Sequence, residues 1–291
     1  MRDLQDLAAK LLTEKTVGLV IGWEAGPRGA RPSFVTDPKD AGKLISDNRC
    51  VHNLAAYLSP RRPHLRGFGR IAVAVKGCDV RAVAGLLRET QLRREDVVLI
   101  GIRCGGVHDT PTGVGPLTAD NLADRCVGCE VRDPARCDHV LGELPPSLPS
   151  RGGRRAARIA ELEALDHAAR FAFWREELSR CVRCNACRQV CPLCVCERCL
   201  ADKTDPPWIE SSPHPRANLA WHATRALHLA GRCVDCGECE RACPAGIPLN
   251  LIGRKVAAVV ERRFGYRTTD DPQVPAPIGA WKPEDGQEFI R

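Results

Sequence analysis

The feature that most limits how this chain can fold is a cysteine spacing used twice. It runs Cys181, Cys184, Cys187 and Cys191-Pro192, then Cys233, Cys236, Cys239 and Cys243-Pro244. C-x2-C-x2-C-x3-C-P is the ligand run of bacterial-type [4Fe–4S] clusters. Three thiolates separated by two residues can wrap one face of a cubane, while the fourth points to the neighbouring cluster in two-cluster proteins. The proline can open the next turn, where its missing N–H costs little. Cross-ligation predicts one cluster on Cys181, Cys184, Cys187 and Cys243, and a second on Cys233, Cys236, Cys239 and Cys191. Zinc, commonly held by two separated pairs of ligands, fits two full repeats of this spacing poorly.

The chain has 17 cysteines in 291 residues, too many for ordinary packing. Disulfides belong to oxidising compartments. Residues 1–15 mix charged and apolar residues without the apolar stretch of a secretory signal, so a cytoplasmic location is expected. No apolar run is long enough to predict a transmembrane segment. The net charge of +7 is spread along the chain, and the basic run at 151–158 has no interleaved aromatics, so no nucleic-acid partner is expected.

Periodicity predicts an α/β domain over residues 1–144. Leucines at 4, 7, 11 and 12 form a helical stripe, 16–23 reads as a strand, and 24–38 reads as a loop. A strand at 71–75, a helix at 80–90 with Asp79 as its N-cap, and a strand at 97–102 suit a βαβ unit. Residues 145–153 (PPSLPSRGG) read as a linker. Residues 154–266 should form a mostly α-helical dicluster ferredoxin domain, with helices at 154–180, 216–230 and 249–263. Residues 267–291 should be an extended C-terminal tail. With a helix between the two cysteine runs, this half resembles the α-helical ferredoxin domain of heterodisulfide reductase small subunits and succinate dehydrogenase iron–sulfur subunits.

Two N-terminal stretches carry a second resemblance. Val75-Lys-Gly-Cys78-Asp-Val-Arg-Ala-Val-Ala-Gly-Leu-Leu resembles the G-T-P-C-Q-x-x-G-L-x-x-L segment of the beta subunits of deazaflavin-dependent (coenzyme F-420) hydrogenases and formate dehydrogenases. Leu99-Ile-Gly-Ile-Arg-Cys104-Gly-Gly-Val-His-Asp-Thr-Pro111 resembles the D-L-x-C-H-G-V-P-S-P that follows it. Cys126-Val-Gly-Cys129 and Cys137-Asp138-His-Val-Leu-Gly142 resemble that family's C-x-x-C and later D-x-x-x-G. Lys76-Gly77 replace the Thr-Pro before Cys78, and Gly105 replaces the His after Cys104. The resemblance implies a third [4Fe–4S] cluster on Cys78, Cys104, Cys126 and Cys129, with Cys137 as an alternative to Cys78, and FAD as a further cofactor. A structural zinc site at Cys104, Cys126, Cys129 and Cys137 is the competing reading.

Cys194, Cys196 and Cys199 follow the first run directly. They are candidates for a fourth cluster completed by Cys50 or Cys137, for a zinc site, or for competing ligation of the first cluster. Cys50 is otherwise a small buried hydrophobe. No acid, base and nucleophile set surrounds any histidine, so no catalytic residue is assigned. His214, between two prolines, is the histidine to inspect as a ligand.

These readings order three functions. The first is an iron–sulfur electron-transfer subunit relaying electrons between flavin-bearing and catalytic subunits of a hydrogenase, formate dehydrogenase or heterodisulfide-reductase-like complex of an anaerobe, with no turnover of its own. The second is a flavin-dependent oxidoreductase reducing a deazaflavin or similar cofactor. The third is a binding or maturation protein with structural clusters.

Overall fold

The computed structural model describes residues 2–148 and 153–284. The N-terminal half opens with α1 (Arg2–Thr13), which buries Leu4, Ala8, Leu11 and Leu12. Next come β1 (Leu19–Gly26), β2 (Gly29–Val35), β3 (Leu44–Ile45) and the single turn α2 (Pro63–Arg66). Then follow β4 (Ile71–Val75), α3 (Gly77–Arg88), β5 (Val97–Ile102) and β6 (His139–Leu141). The sheet runs in the order β2-β1-β4-β5-β6, with β3 also pairing β1. β1, β4, β5 and β6 are parallel, and β2 and β3 run antiparallel to β1. β4 reads Ile-Ala-Val-Ala-Val and is buried on both faces, as a central parallel strand requires.

The stretch 24–38, read from its composition as a loop, is instead the β1–β2 hairpin, with Gly26 opposite Gly29 and Val20 opposite Val35. Gly29 has φ +99°, and a methyl there would lie 2.0 Å from the Pro111 carbonyl oxygen. Pro32 hides the strand in the sequence. It is tolerated because β2 is the edge of the sheet, where a missing N–H leaves no ladder bond broken. A second correction concerns Asp79. The N-cap of α3 is Lys76, and Asp79 accepts the Lys76 backbone N–H (2.9 Å) from within the first turn.

Past residue 153 the regular elements are α4 (Arg154–Ala164), α5 (His167–Ser179), α6 (Ala186–Gln189), α7 (Pro215–His228), α8 (Glu238–Arg241) and α9 (Leu249–Phe264). The single helix expected over 154–180 breaks at Leu165. Asp166 caps a new helix by accepting the Ala169 N–H at 2.7 Å. Gly265, at φ +61°, ends α9.

Leu193, Val195, Leu229 and Val234 belong to the same buried cluster as the N-terminal strands and α3, so the two halves share one core. Ion pairs clamp the seam: Arg232 to Glu89, Arg155 to Asp124 and Glu240, and Arg125 to Glu238. The start of the expected tail bonds to both halves of the chain. Asp271 accepts from Arg88 and Arg136, and the Thr268 hydroxyl donates to the Cys233 carbonyl.

A buried ion pair anchors the start of α3. Lys76 Nζ lies 3.2 Å from Asp79 Oδ2, donates to the Cys50 and His52 carbonyls at 3.0 and 2.9 Å, and stacks over the Trp23 ring. Removing one partner of such a pair strands a buried charge, so Lys76→Met should cost about 3–5 kcal/mol. Lys76→Met/Asp79→Leu should recover most of that loss. Unfolding followed anaerobically checks this: a single variant as stable as the parent would contradict the pairing.

Candidate metal centres

Parallel strands open a crevice at their carboxyl ends, where α/β proteins place ligands. Cys78 stands at the second position of α3, just after β4, and Cys104 lies two residues past β5. The long β5–β6 connection brings Cys126 and Cys129 to the same place. All four thiols line one cavity of about 50 Å³ with Lys76, Asp79, Gly105 and Gly106. Gly77 leaves room for the Val131 carbonyl, which a methyl there would meet at 1.8 Å.

The two cysteine runs take the same backbone path. Arg183 and Asn185 in the first, and Asp235 and Gly237 in the second, are left-handed, with φ of 55°, 58°, 56° and 69°. Positive φ at non-glycine residues is uncommon and clusters at functional sites, and here it recurs at matching offsets. In each run a single helical turn follows, carrying Cys187 or Cys239. Backbone N–H groups two residues on point back at the thiols, Arg183 to Cys181 Sγ at 3.4 Å and Gly106 to Cys104 Sγ at 3.3 Å. Cys129, Cys191, Cys233 and Cys236 receive the same kind of bond from Val131, Leu193, Asp235 and Glu238. Such bonds stabilise thiolate sulfur and tune cluster potentials.

Cys191, Cys233, Cys236 and Cys239 line a second cavity, of about 40 Å³, with His222, Arg225 and Leu249. A methyl at Gly253 would meet the Cys233 Sγ at 3.2 Å. Cys181, Cys187 and Cys243 gather around Leu178, Ile247 and Leu249, and Cys184 is their exposed electrostatic neighbour. Each group brings together cysteines that the spacing or the resemblance sets together, with Cys239 also beside Cys181, Cys187 and Cys243. Among the described residues no three or more His, Cys, Asp or Glu side chains stand at the spacing of a single ion's ligands. A donor set of four thiols around a cavity fits a cubane.

The remaining cysteines stand elsewhere. Cys137 lies away from the N-terminal cavity: its Sγ would touch a methyl on Gly101 at 3.0 Å, and its charged neighbours are Asp138, Arg94, Asp133 and Asp270. It is not among the residues that line that cavity with Cys104, Cys126 and Cys129. Cys194, Cys196 and Cys199 have different surroundings. Cys194 is hydrogen-bonded to Cys191, which lowers the Cys191 thiol and raises its own. Cys196 is exposed, and Cys199 packs beside Ala201, Ile209 and Trp221. Cys50 is buried in the N-terminal core, and burial pushes its thiol up to about 12. His214 caps α7 through Nδ1, which accepts the Arg216 N–H.

Sequence reasoning missed the polar stripe of α7. Asn218 Nδ2 donates to the Cys181 carbonyl (2.8 Å), His222 Nε2 lies 3.3 Å from Cys181 Sγ, and Arg225 Nη2 donates to the Cys187 carbonyl (3.1 Å). Burial, with Arg225 and Arg183 nearby, lowers His222 to about 4, so the ring is neutral near pH 7. The signal was present in the sequence as Asn218, His222 and Arg225 on one helical face.

Comparison with known proteins agrees with this geometry. Residues 177–247 match the 4Fe–4S dicluster domain. The chain is an iron–sulfur protein with two [4Fe–4S] clusters. It is similar along nearly its whole length to beta subunits of F420-dependent formate dehydrogenases. The Methanocaldococcus jannaschii protein is 23% identical over 91% of this chain and 90% of its own length. That of formate dehydrogenase 1 from Methanococcus maripaludis is 24% identical over 93% and 91%.

Burial raises most of these thiols, Cys233 to about 11 and Cys239 to about 12. At neutral pH the iron-free protein therefore holds them protonated, and binding iron as thiolates must release those protons. Reconstitution yield should rise with pH between about 7 and 9, with proton release measurable in weak buffer. A yield independent of pH would contradict the protonated, buried state.

Proposed function

We infer that this chain is the iron–sulfur electron-transfer subunit of an oxidoreductase complex, relaying electrons through three clusters to or from catalytic and flavin-bearing partners. The observation that carries the relay is Cys236, which lines both the N-terminal cavity and the cavity of Cys191, Cys233 and Cys239. Cys239 and Leu249 in turn line that second cavity and pack in the cluster around Cys181 and Cys187. The three sites therefore share walls in series, from the N-terminal crevice to the exposed Cys184. Each cubane, when bound, supplies a one-electron redox centre.

The ligand sets we assign are Cys181, Cys184, Cys187 and Cys243; Cys233, Cys236, Cys239 and Cys191; and Cys78, Cys104, Cys126 and Cys129. Residues 154–266 would be the α-helical ferredoxin unit and 1–144 the beta-subunit-like unit, joined by 145–153. The chain's own groups do the rest. Leu193, Leu229 and Val234 keep the seam dry, the backbone N–H groups fix the sulfurs, and Arg125 and Arg241 neutralise the buried Glu238 beside Cys239. All 17 cysteines are free of disulfides, which suits a reducing cytoplasm. No helix among the described residues is long and apolar enough to cross a membrane.

Anaerobically prepared full-length protein should carry about twelve irons, as three cubanes require. Cys126→Ser or Cys129→Ser should remove about four of them and Cys137→Ser none. Formate, NADH or reduced deazaflavin should not reduce the clusters of the isolated chain, whereas a low-potential chemical reductant should. Zinc without visible absorption in the N-terminal site would overturn the third cluster. Rapid reduction by one of those substrates, with flavin bound, would overturn the relay reading.

A further inference from the structure

Three lysine or arginine side chains are buried among the described residues: Lys76, Arg188 and Arg225. Lys76 pairs with Asp79 at 3.2 Å and Arg188 with Asp202 at 2.7 Å. Arg225, 8% exposed, makes no ion pair with a carboxylate among the described residues, and its Nε has no hydrogen-bond partner there. An uncompensated buried charge is costly, and a protein keeps one where some other negative group supplies the balance.

The surroundings of Arg225 identify that group. Its Nη2 donates to the carbonyl of Cys187, in the first thiol set, at 3.1 Å. The same side chain lines the cavity of the second set, Cys191, Cys233, Cys236 and Cys239. It issues from α7, whose Asn218 and His222 hold Cys181, so its position is fixed by packing. One guanidinium thus stands between the two thiol sets. A cubane held by four thiolates is anionic and gains a further negative charge on reduction, so a fixed cation beside it favours the reduced form. Net charge, burial and hydrogen bonding are the protein's levers on cluster potential.

We propose that Arg225 is the shared counter-charge of the two clusters in the C-terminal half, and that it raises the reduction potentials of both. The inference rests on the dicluster reading and adds to it a residue that acts on the clusters without ligating them. At the other junction the cation Arg125 is already matched by Glu238, at 3.7 Å. The uncompensated charge therefore favours electrons at the Cys184 end of the relay.

The test is an EPR-monitored redox titration of the full-length protein, anaerobic, beside Arg225→Gln and Arg225→Lys, with iron and zinc measured on each sample. Arg225→Gln keeps a donor but loses the charge, and should shift the midpoints of both C-terminal clusters to more negative values. Arg225→Lys should leave them close to the parent. A glutamine variant with full iron and unchanged midpoints overturns the proposal, as does a lysine variant shifted as far as the glutamine one. If the glutamine variant fails to retain iron, the lysine variant decides. Full iron at parental midpoints supports the charge, while equal depletion assigns Arg225 to holding the Cys187 carbonyl alone and overturns it. Zinc in place of iron in the parent protein would be a failure of the dicluster reading, distinct from any of these.

Discussion

The arrangement depends on Cys236, a single residue that forms part of the wall of two cavities. For it to do so, the loop after α7 must press against the carboxyl ends of β4 and β5. That contact exists because the halves share one apolar core: Leu193 packs where Gly85 of α3 leaves no side chain, and a methyl there would meet Leu193 Cδ2 at 2.8 Å. Each half alone would expose apolar surface that the other covers. The seam is therefore structural and electronic at once, and the order of the sites follows from ordinary packing.

The replaced motif residues acquire a physical meaning in this setting. Lys76 is a buried cation paired with Asp79, threaded under the N-terminal cavity and hydrogen-bonded to the Cys50 and His52 carbonyls. Gly105 leaves room for Pro145, since a methyl at that position would lie 3.1 Å from its Cβ. Arg132 donates to the Pro145 and Pro146 carbonyls and closes that side of the site. Charges elsewhere at the seam are paired in the same way, Arg125 and Arg241 with Glu238 and Arg155 with Asp124 and Glu240.

What could be read from the sequence was local. The two four-cysteine runs announce themselves by spacing, and β4 and β5 end where their apolar runs end, at Val75 and Ile102. β2 was hidden by Pro32, whose cost vanishes only on an edge strand, and edge status is a property of the whole sheet. The break between α4 and α5 turns on the Asp166 cap, which a single periodic pattern ran across. Cys137 and Cys126 look alike in sequence, yet Cys137 faces Gly101 and Cys126 lines the cavity, a distinction made by the path of the long β5–β6 connection. The pairing of Cys236 with the N-terminal site joins residues more than a hundred positions apart, and no spacing rule reaches that far.

The most direct test of the account is diffraction from anaerobically grown crystals, recorded on both sides of the iron and zinc absorption edges. Three iron centres in series are predicted, the middle one held by Cys191, Cys233, Cys236 and Cys239 and flanked by one on Cys78, Cys104, Cys126 and Cys129. Anomalous density for iron at only the two C-terminal sites, or for zinc in the N-terminal cavity, would contradict a continuous relay.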